Sequence, residues 1–96
     1  MTLSSADIRK RIRGAALSGS WAPTKHALER IAERKYQIPD VEQCLKSGIH
    51  NPSRDELNNG NWRYRIEGQT IDGRRIDLAV AIDDDVIVVT VIDPDQ

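Results

Sequence analysis

The sequence predicts an α+β domain: two to three N-terminal helices packed on a four-stranded antiparallel β-meander. Three observations carry that expectation. Up to Gly48 the apolar residues recur at helical spacing. Beyond it, short runs rich in Val, Ile and aromatic residues are punctuated by Asn-Gly, Asp-Gly and Asp-Asp turns. The helices come first and the strands after, rather than in alternation. Ninety-six residues suffice for one domain, read as an N-terminal helix and linker over residues 1–23 and an α+β core over 24–92.

The first helix has a defined start. Ser4 and Asp7 approximate a capping box, with Asp in place of the usual Glu or Gln, and Leu3 and Ile8 occupy the hydrophobic-staple positions. Ile8, Ile12, Ala15 and Ala16 form one apolar face, while Arg9, Lys10, Arg11 and Arg13 crowd the remainder. Gly19, Ser20 and Pro23 end the pattern before Thr24 caps a second helix that should run to about Tyr36. On its wheel Ala27, Leu28, Ile31 and Ala32 span the apolar side. Pro39 suits the first position of a short third helix, Asp40 and Glu42 its first turn, and Lys46-Ser-Gly48 its end.

Turn signals at Asn58-Asn-Gly-Asn61, Asp72-Gly73 and Asp83-Asp-Asp85 separate four strand-like runs, approximately 49–53, 62–70, 75–82 and 86–92. Register decides which side chains share a face. A two-residue loop at Asp72-Gly73 would place Arg65 opposite Val80 and put arginines in the Leu78/Val80/Ile82 row. A three-residue loop over Ile71, Asp72 and a left-handed Gly73 instead sets Trp62 against Ile82, Tyr64 against Val80 and Ile66 against Leu78. Arg63, Arg65 and Glu67 then oppose Ala81, Ala79 and Asp77. A one-residue slip flips every side chain, so the pattern selects the second register. A two-residue turn at Asp84-Asp85 would add Thr90 beside Ala79 and Arg65. The last run is apolar apart from Thr90, so both its faces should be covered at least in part.

Composition narrows the setting. Cys44 is the single cysteine, which excludes an internal disulfide and suits a reducing cytosol. Residues 1–20 hold no continuous apolar run, so neither a signal peptide nor a membrane span is expected, and the location should be cytoplasmic. The net charge of −1 is unevenly spread. Residues 1–48 carry nine Lys/Arg against five Asp/Glu, and residues 49–96 carry five against ten. Such polarity suits an anion on one side or a basic partner on the other, and equally two solvated faces. The slight overall acidity argues against sequence-blind coating of nucleic acid.

Candidate chemistry concentrates in the second helix. His26, Arg30 and Arg34 stand four residues apart and form one stripe on a helix. An imidazole there can act as a general base, and two guanidiniums can hold a phosphate and stabilise a charge-rich transition state. Glu29 and Glu33 beside them equally permit ordinary surface salt bridges. Arg63 and Arg65 add cations on a strand face. Tyr64 falls on the core face, where packing with its hydroxyl at an edge is the commoner role. Thr90 can contact a phosphate or bond locally. Cys44, His26 and His50 lack zinc-site spacings and the Asp83 run lacks a calcium-loop pattern, so no metal and no other cofactor is expected. There is no Walker loop, dinucleotide fingerprint or nucleophile elbow. The serines lie only near caps and loops, which gives a serine triad no support.

Several motifs fall in an order that resembles one family. They are Thr24-Lys-His-Ala-Leu-Glu-Arg-Ile-Ala-Glu-Arg34, then Ile38 and a short helix ending in Gly48, then Arg63-Tyr-Arg-Ile-Glu-Gly68, Asp72-Gly73 and Val88-Val-Thr-Val91. They resemble the domain of unknown function 4258, a family of small bacterial proteins similar in fold to RelE-like, MqsR-like and BrnT-like ribonuclease toxins. The resemblance spans roughly residues 24–92. It implies a compact helix-plus-antiparallel-sheet domain and, by fold analogy, metal-independent RNA cleavage, with His26, Arg30, Arg34, Tyr64 and Thr90 at the signature positions. The chain departs from RelE-like toxins in being acidic and in lacking their lysine-rich strands.

The expectation is therefore an endoribonuclease toxin of a toxin–antitoxin pair. His26 would deprotonate a ribose 2′-hydroxyl for attack on the adjacent phosphate. Arg30, Arg34 and Arg65 would stabilise the transition state, Tyr64 would donate a proton, and Lys25, Arg63 and Thr90 would hold the RNA. Its partners would be RNA, including ribosome-associated mRNA, and a small antitoxin protein. The alternative is a non-catalytic module that binds RNA or a protein through its basic N-terminal half or its sheet edge.

Overall fold

Ser4 caps the first helix, α1 (Ser5–Ser18), by accepting the Asp7 N–H at 3.1 Å, and Gly19 ends it in the left-handed region. The computed structural model describes residues 3–95. After α1 come β1 (Trp21–Pro23), α2 (Lys25–Glu33), α3 (Ile38–Ser47), β2 (Ile49–His50), β3 (Glu56–Asn58), β4 (Asn61–Gln69), β5 (Arg75–Ile82) and β6 (Val86–Ile92). A 3₁₀ turn over Pro52–Arg54 joins β2 to β3.

The α+β plan with its helices first is as expected, but the sheet is six-stranded and mixed. Its order is β1-β6-β5-β4-β2, with β3 also paired to β4. The added strands, β1 and β3, are only three residues long each. β1 runs parallel to β6, setting Trp21 beside Val86 and Pro23 beside Val88. Pro23 lacks an N–H and belongs at such an edge. Asn59 and Gly60, at φ 51° and 80°, make the two-residue turn between β3 and β4. Both dihedrals are positive, as a type I′ hairpin requires. The run expected over 49–53 keeps only two strand residues, because Pro52 diverts the chain into the 3₁₀ turn.

Helix boundaries also shift. Thr24 caps α2 as expected, accepting the Ala27 N–H at 3.0 Å. The helix stops at Glu33, short of Tyr36, because Lys35 enters the left-handed region at φ 59°. Tyr36 N–H then bonds the Ile31 carbonyl at 2.9 Å and Lys35 N–H bonds the Ala32 carbonyl at 3.3 Å, a Schellman closure. Only Ala27 and Ile31 of α2 are buried, whereas Leu28 and Ala32 are exposed. The cause is placement: α2 lies along β6 and β1 at the sheet edge, so a narrow stripe suffices. In α3, Gln37 is the cap and Pro39 the second helical residue, and Gln37 N–H donates to the Asp40 carboxylate at 2.9 Å.

The register of β4 with β5 is the three-residue-loop alternative. Tyr64 pairs with Val80, Arg65 with Ala79, Ile66 with Leu78 and Glu67 with Asp77. Gly73 sits at φ 90°, and Thr70 N–H closes the loop on the Arg74 carbonyl at 2.7 Å. Pairing begins at Tyr64, so the expected Trp62–Ile82 and Arg63–Ala81 pairs lie beyond the ladder. Trp62 and Arg63 pair instead with Leu57 and Glu56 of β3. Thr90 does oppose Ala79, but the turn before β6 spans three aspartates, Asp83 to Asp85. The register shifts between Ala79 and Val80, leaving Val89 as an extra residue in β6. This bulge explains why Val86, Val88 and Val91 are buried while Ile87, Val89, Thr90 and Ile92 are only partly covered.

Ile8 and Ile12 of α1, Val41, Cys44 and Leu45 of α3, and Ile31 of α2 join Tyr64, Ile66, Leu78, Val80, Val88 and Val91 in one core. Burying each large aliphatic side chain contributes about 1.5–3 kcal/mol. α3 seats closely on β4 because Gly48 and Gly68 meet there. A Cβ on Gly48 would lie 2.5 Å from the Cys44 carbonyl oxygen, and one on Gly68 3.2 Å from Gly48 Cα. The opposite sheet face carries Arg63, Arg65, Glu67, Ala79, Ala81, Ile87, Thr90 and Ile92, all partly exposed, and only Asp77 of that face is buried.

Candidate functional site on the open sheet face

Two concavities share Arg63: the smaller lies on the less covered face, and the larger is lined from both faces, by Arg63, Ala81 and Ile87 of that face and by Trp62, Tyr64 and Ile82 of the core row. The larger, about 540 Å³, runs from Thr24 at the start of α2 past Ile87 and Val89 to the β3–β4 hairpin, where Asn58 to Tyr64 line it. The smaller, about 80 Å³, is lined by Arg54, Glu56, Arg63, Arg65, Ala79, Thr90 and Ile92. Thr24 joins α2 to the sheet at this point, since its hydroxyl donates to the Val89 carbonyl at 2.8 Å. The bulge at Val89 thus sits where the helix begins. Trp62, at the far side, is 42% exposed.

The arginines of the molecule divide into engaged and unengaged ones. Arg65 bonds Asp77 through Nη2 at 2.9 Å and Nε at 3.2 Å, and the Asp77 side chain is only 2% exposed against 17% for Arg65. Its charge is therefore largely spent inside the fold. Arg30 pairs with Glu33, the ordinary surface salt bridge the spacing permits. Among the described residues, neither Arg54 nor Arg63 has an ion-pair or hydrogen-bond partner for its guanidinium, and both line the smaller concavity.

The expected site residues are thus only partly brought together. Arg63, Tyr64 and Arg65 are consecutive on β4, and Thr90 joins Arg63 and Arg65 at the smaller concavity. Tyr64 lines the larger one but is buried, with its ring edge-on to His50 at 5.8 Å. Burial first, and the Asp55 charge second, raise its phenol above the ordinary range. Lys25 and His26 are exposed in the first turn of α2, just beyond Thr24, and line neither concavity. Arg30 in the last turn of α2 and Arg34 at its C-cap are half-buried and line neither as well. Arg34 lies within electrostatic reach of Asp93. That carboxyl is held below its usual range mainly by a hydrogen bond from Arg74, with Arg34 a lesser contributor.

A family model, the domain of unknown function DUF4258, matches residues 24–93, which takes in everything from the cap of α2 to the end of β6. The chain belongs to the DUF4258 family. No curated protein and no solved structure matches it. Both concavities are lined wholly by residues of the DUF4258 region, whereas α1 and β1 precede it.

One constellation has no counterpart in the sequence reading. The Ser5 hydroxyl donates to His50 Nδ1 at 2.7 Å, and His50 Nε2 donates to the Asp55 carboxylate at 2.8 and 3.0 Å. Ser5, His50 and Asp55 are thus joined in one hydrogen-bonded chain. Ser5 is a first-turn helix residue and His50 sits in a two-residue strand 45 positions away, so no spacing rule connects them. Elsewhere, among the described residues, no three His, Cys, Asp or Glu side chains are grouped to hold a metal ion, and no helix is long and apolar enough to cross a membrane. Cys44 is fully buried, and burial, aided by the Asp77 charge, pushes its thiol up to about 12.

Proposed function

We propose that this DUF4258 domain binds single-stranded RNA along the two concavities that meet at Arg63, with the larger receiving one nucleotide and its phosphate. The observation that carries the reading is the meeting, around one cavity of about 540 Å³, of an exposed indole, an unpaired arginine and the start of a helix. Trp62 offers a surface on which a base can stack. Arg63 offers a planar fork for phosphate oxygens, and Thr24 on the cavity wall brings the positive end of the α2 dipole to its rim. Arg54 and Thr90 continue the track on the other side of Arg63. Such binding needs local cations rather than a positive domain, so a net charge of −1 does not oppose it.

A second reading adds cleavage, and one observation favours it. His26 is exposed in the turn that follows Thr24, without a hydrogen-bond partner among the described residues. There it could remove the 2′-hydroxyl proton of a strand held at Arg63. In this reading Arg63 replaces Arg65 at the phosphate, the likeness to ribonuclease toxins applies, and a small antitoxin protein would cover the same face.

Anisotropy of a labelled single-stranded RNA in EDTA tests both. Wild type binds, and Arg63→Ala weakens binding roughly 10- to 100-fold, the worth of one charge-assisted contact. Cleavage lost in His26→Ala with binding retained supports the second reading. Binding without cleavage leaves the first alone, and no binding by wild type overturns both.

A further inference from the structure

We propose that Ser5, His50 and Asp55 form a nucleophilic serine site that accepts an acyl group from short, unhindered carboxylic esters. Three separate segments supply it: the start of α1, strand β2 and the residue after the 3₁₀ turn. The burial is graded as a nucleophile and its base require. Ser5 is exposed, the His50 side chain is 2% exposed and that of Asp55 11%. The carboxylate is fixed from two directions, since the Arg65 backbone N–H also donates to it at 2.9 Å. Tyr64 walls one side of the imidazole.

The ring is turned relative to the familiar triad, with Nδ1 on the serine and Nε2 on the carboxylate. The chemistry is unchanged, because the carboxylate holds the proton on Nε2 and leaves Nδ1 free to accept. As Ser5 Oγ bonds to the ester carbonyl carbon, its proton passes to Nδ1. The tetrahedral intermediate collapses, the bond to the alcohol oxygen breaks, and the imidazolium gives its proton to the departing alcohol. Water then attacks the acyl-serine with His50 again as base, releasing the acid and restoring Ser5. The carbonyl oxygen would meet the Ser5 and Ala6 N–H groups, the first-turn donors of α1 left over once Ser4 has capped Asp7 N–H. Leu3, Ser4 and Ala6 around Ser5 are all exposed, so the surroundings offer little enclosure and suit a small acyl group. Ser5 precedes the DUF4258 match while His50 and Asp55 fall inside it, so α1 completes this site.

The test is reaction of the full chain with an alkyl fluorophosphonate, read by intact mass and peptide mapping. The expected result is one adduct, on Ser5, absent in Ser5→Ala and formed much faster in the native than in the urea-unfolded chain. Asp55 acts as a positioning residue, so Asp55→Asn should slow labelling roughly 100- to 10,000-fold, the worth of general-base assistance. Turnover of p-nitrophenyl acetate should fall in parallel. Native labelling no faster than unfolded labelling would overturn the proposal, even if Asp55→Asn failed to fold. Wild-type labelling by an Asp55→Asn chain that melts normally would overturn it too.

Discussion

Replacing Arg65 by methionine should damage the fold far more than the site. Asp77 lies under the sheet surface with 2% of its side chain exposed, and the Arg65 guanidinium is its ion-pair partner. Methionine keeps most of the stem but strands the carboxylate. Removing one partner of a buried pair costs about 3–5 kcal/mol. Arg65 retains 17% exposure, so solvent already weakens the pair and the lower end, about 3 kcal/mol, applies. A domain of this size loses about 4–8 °C of Tm per kcal/mol, giving a fall of about 12–24 °C. Total stability of about 5–15 kcal/mol leaves the variant folded at low temperature. Thermal and urea unfolding followed by circular dichroism measure the loss. The double variant Arg65→Met/Asp77→Leu should recover most of it, because replacing both charges by apolar groups is often neutral or stabilising. A single variant within about 1 kcal/mol of wild type, or a double variant no better than the single, would refute the assignment of Arg65 to structure.

Three further outcomes follow from the same geometry. Cys44, fully buried with its thiol pushed up to about 12, should react with a disulfide reagent only through unfolding, so its rate should rise with urea. The Arg74–Asp93 pair, 2.7 Å long, holds the Asp93 carboxyl below its unfolded value of 3.8. Its stabilisation is therefore present above that value and lost as pH falls through the lower folded one. Urea unfolding between about pH 6 and pH 3 should show the gap between wild type and Asp93→Asn closing toward acid. Arg63→Ala should lower the slope of log K against log salt for single-stranded RNA by about 0.7, the share of one phosphate contact.

Much of the fold was legible because side-chain patterning is local. Ser4 and Thr24 announce their helices, and the alternation of Arg63, Arg65 and Glu67 with Tyr64 and Ile66 admits a single sensible register. The missing strands are those whose existence depends on a partner. β1 is three residues long and is stabilised by lying parallel to β6. β3 was within reach, since Asn59-Gly60 is a strong hairpin signal and implies a strand on each side. The Val89 bulge left Thr90 in the expected row although the turn is one residue longer than assumed.

The site was less legible. Helical spacing sets His26 and Arg30 one turn apart on α2, with Arg34 at its cap, but it does not say what faces them. α2 lies along the sheet edge, and Arg30 turns to Glu33. Arg63 and Arg65 look equivalent in sequence, and the difference between them is the buried Asp77 diagonally across the ladder. Ser5, His50 and Asp55 converge only through tertiary packing of α1 against β2.

The central claim is that the surface around Arg63 is the RNA-binding face. Amide and indole chemical-shift mapping during titration with a short single-stranded RNA tests it most directly. The predicted result is a continuous set of shifts at Thr24, Asn59, Gly60, Trp62, Arg63 and Thr90, with Arg63→Ala needing roughly 10- to 100-fold more RNA to reach the same half-saturation. Shifts confined to α1 and α3, or none at all at saturating RNA, would contradict it.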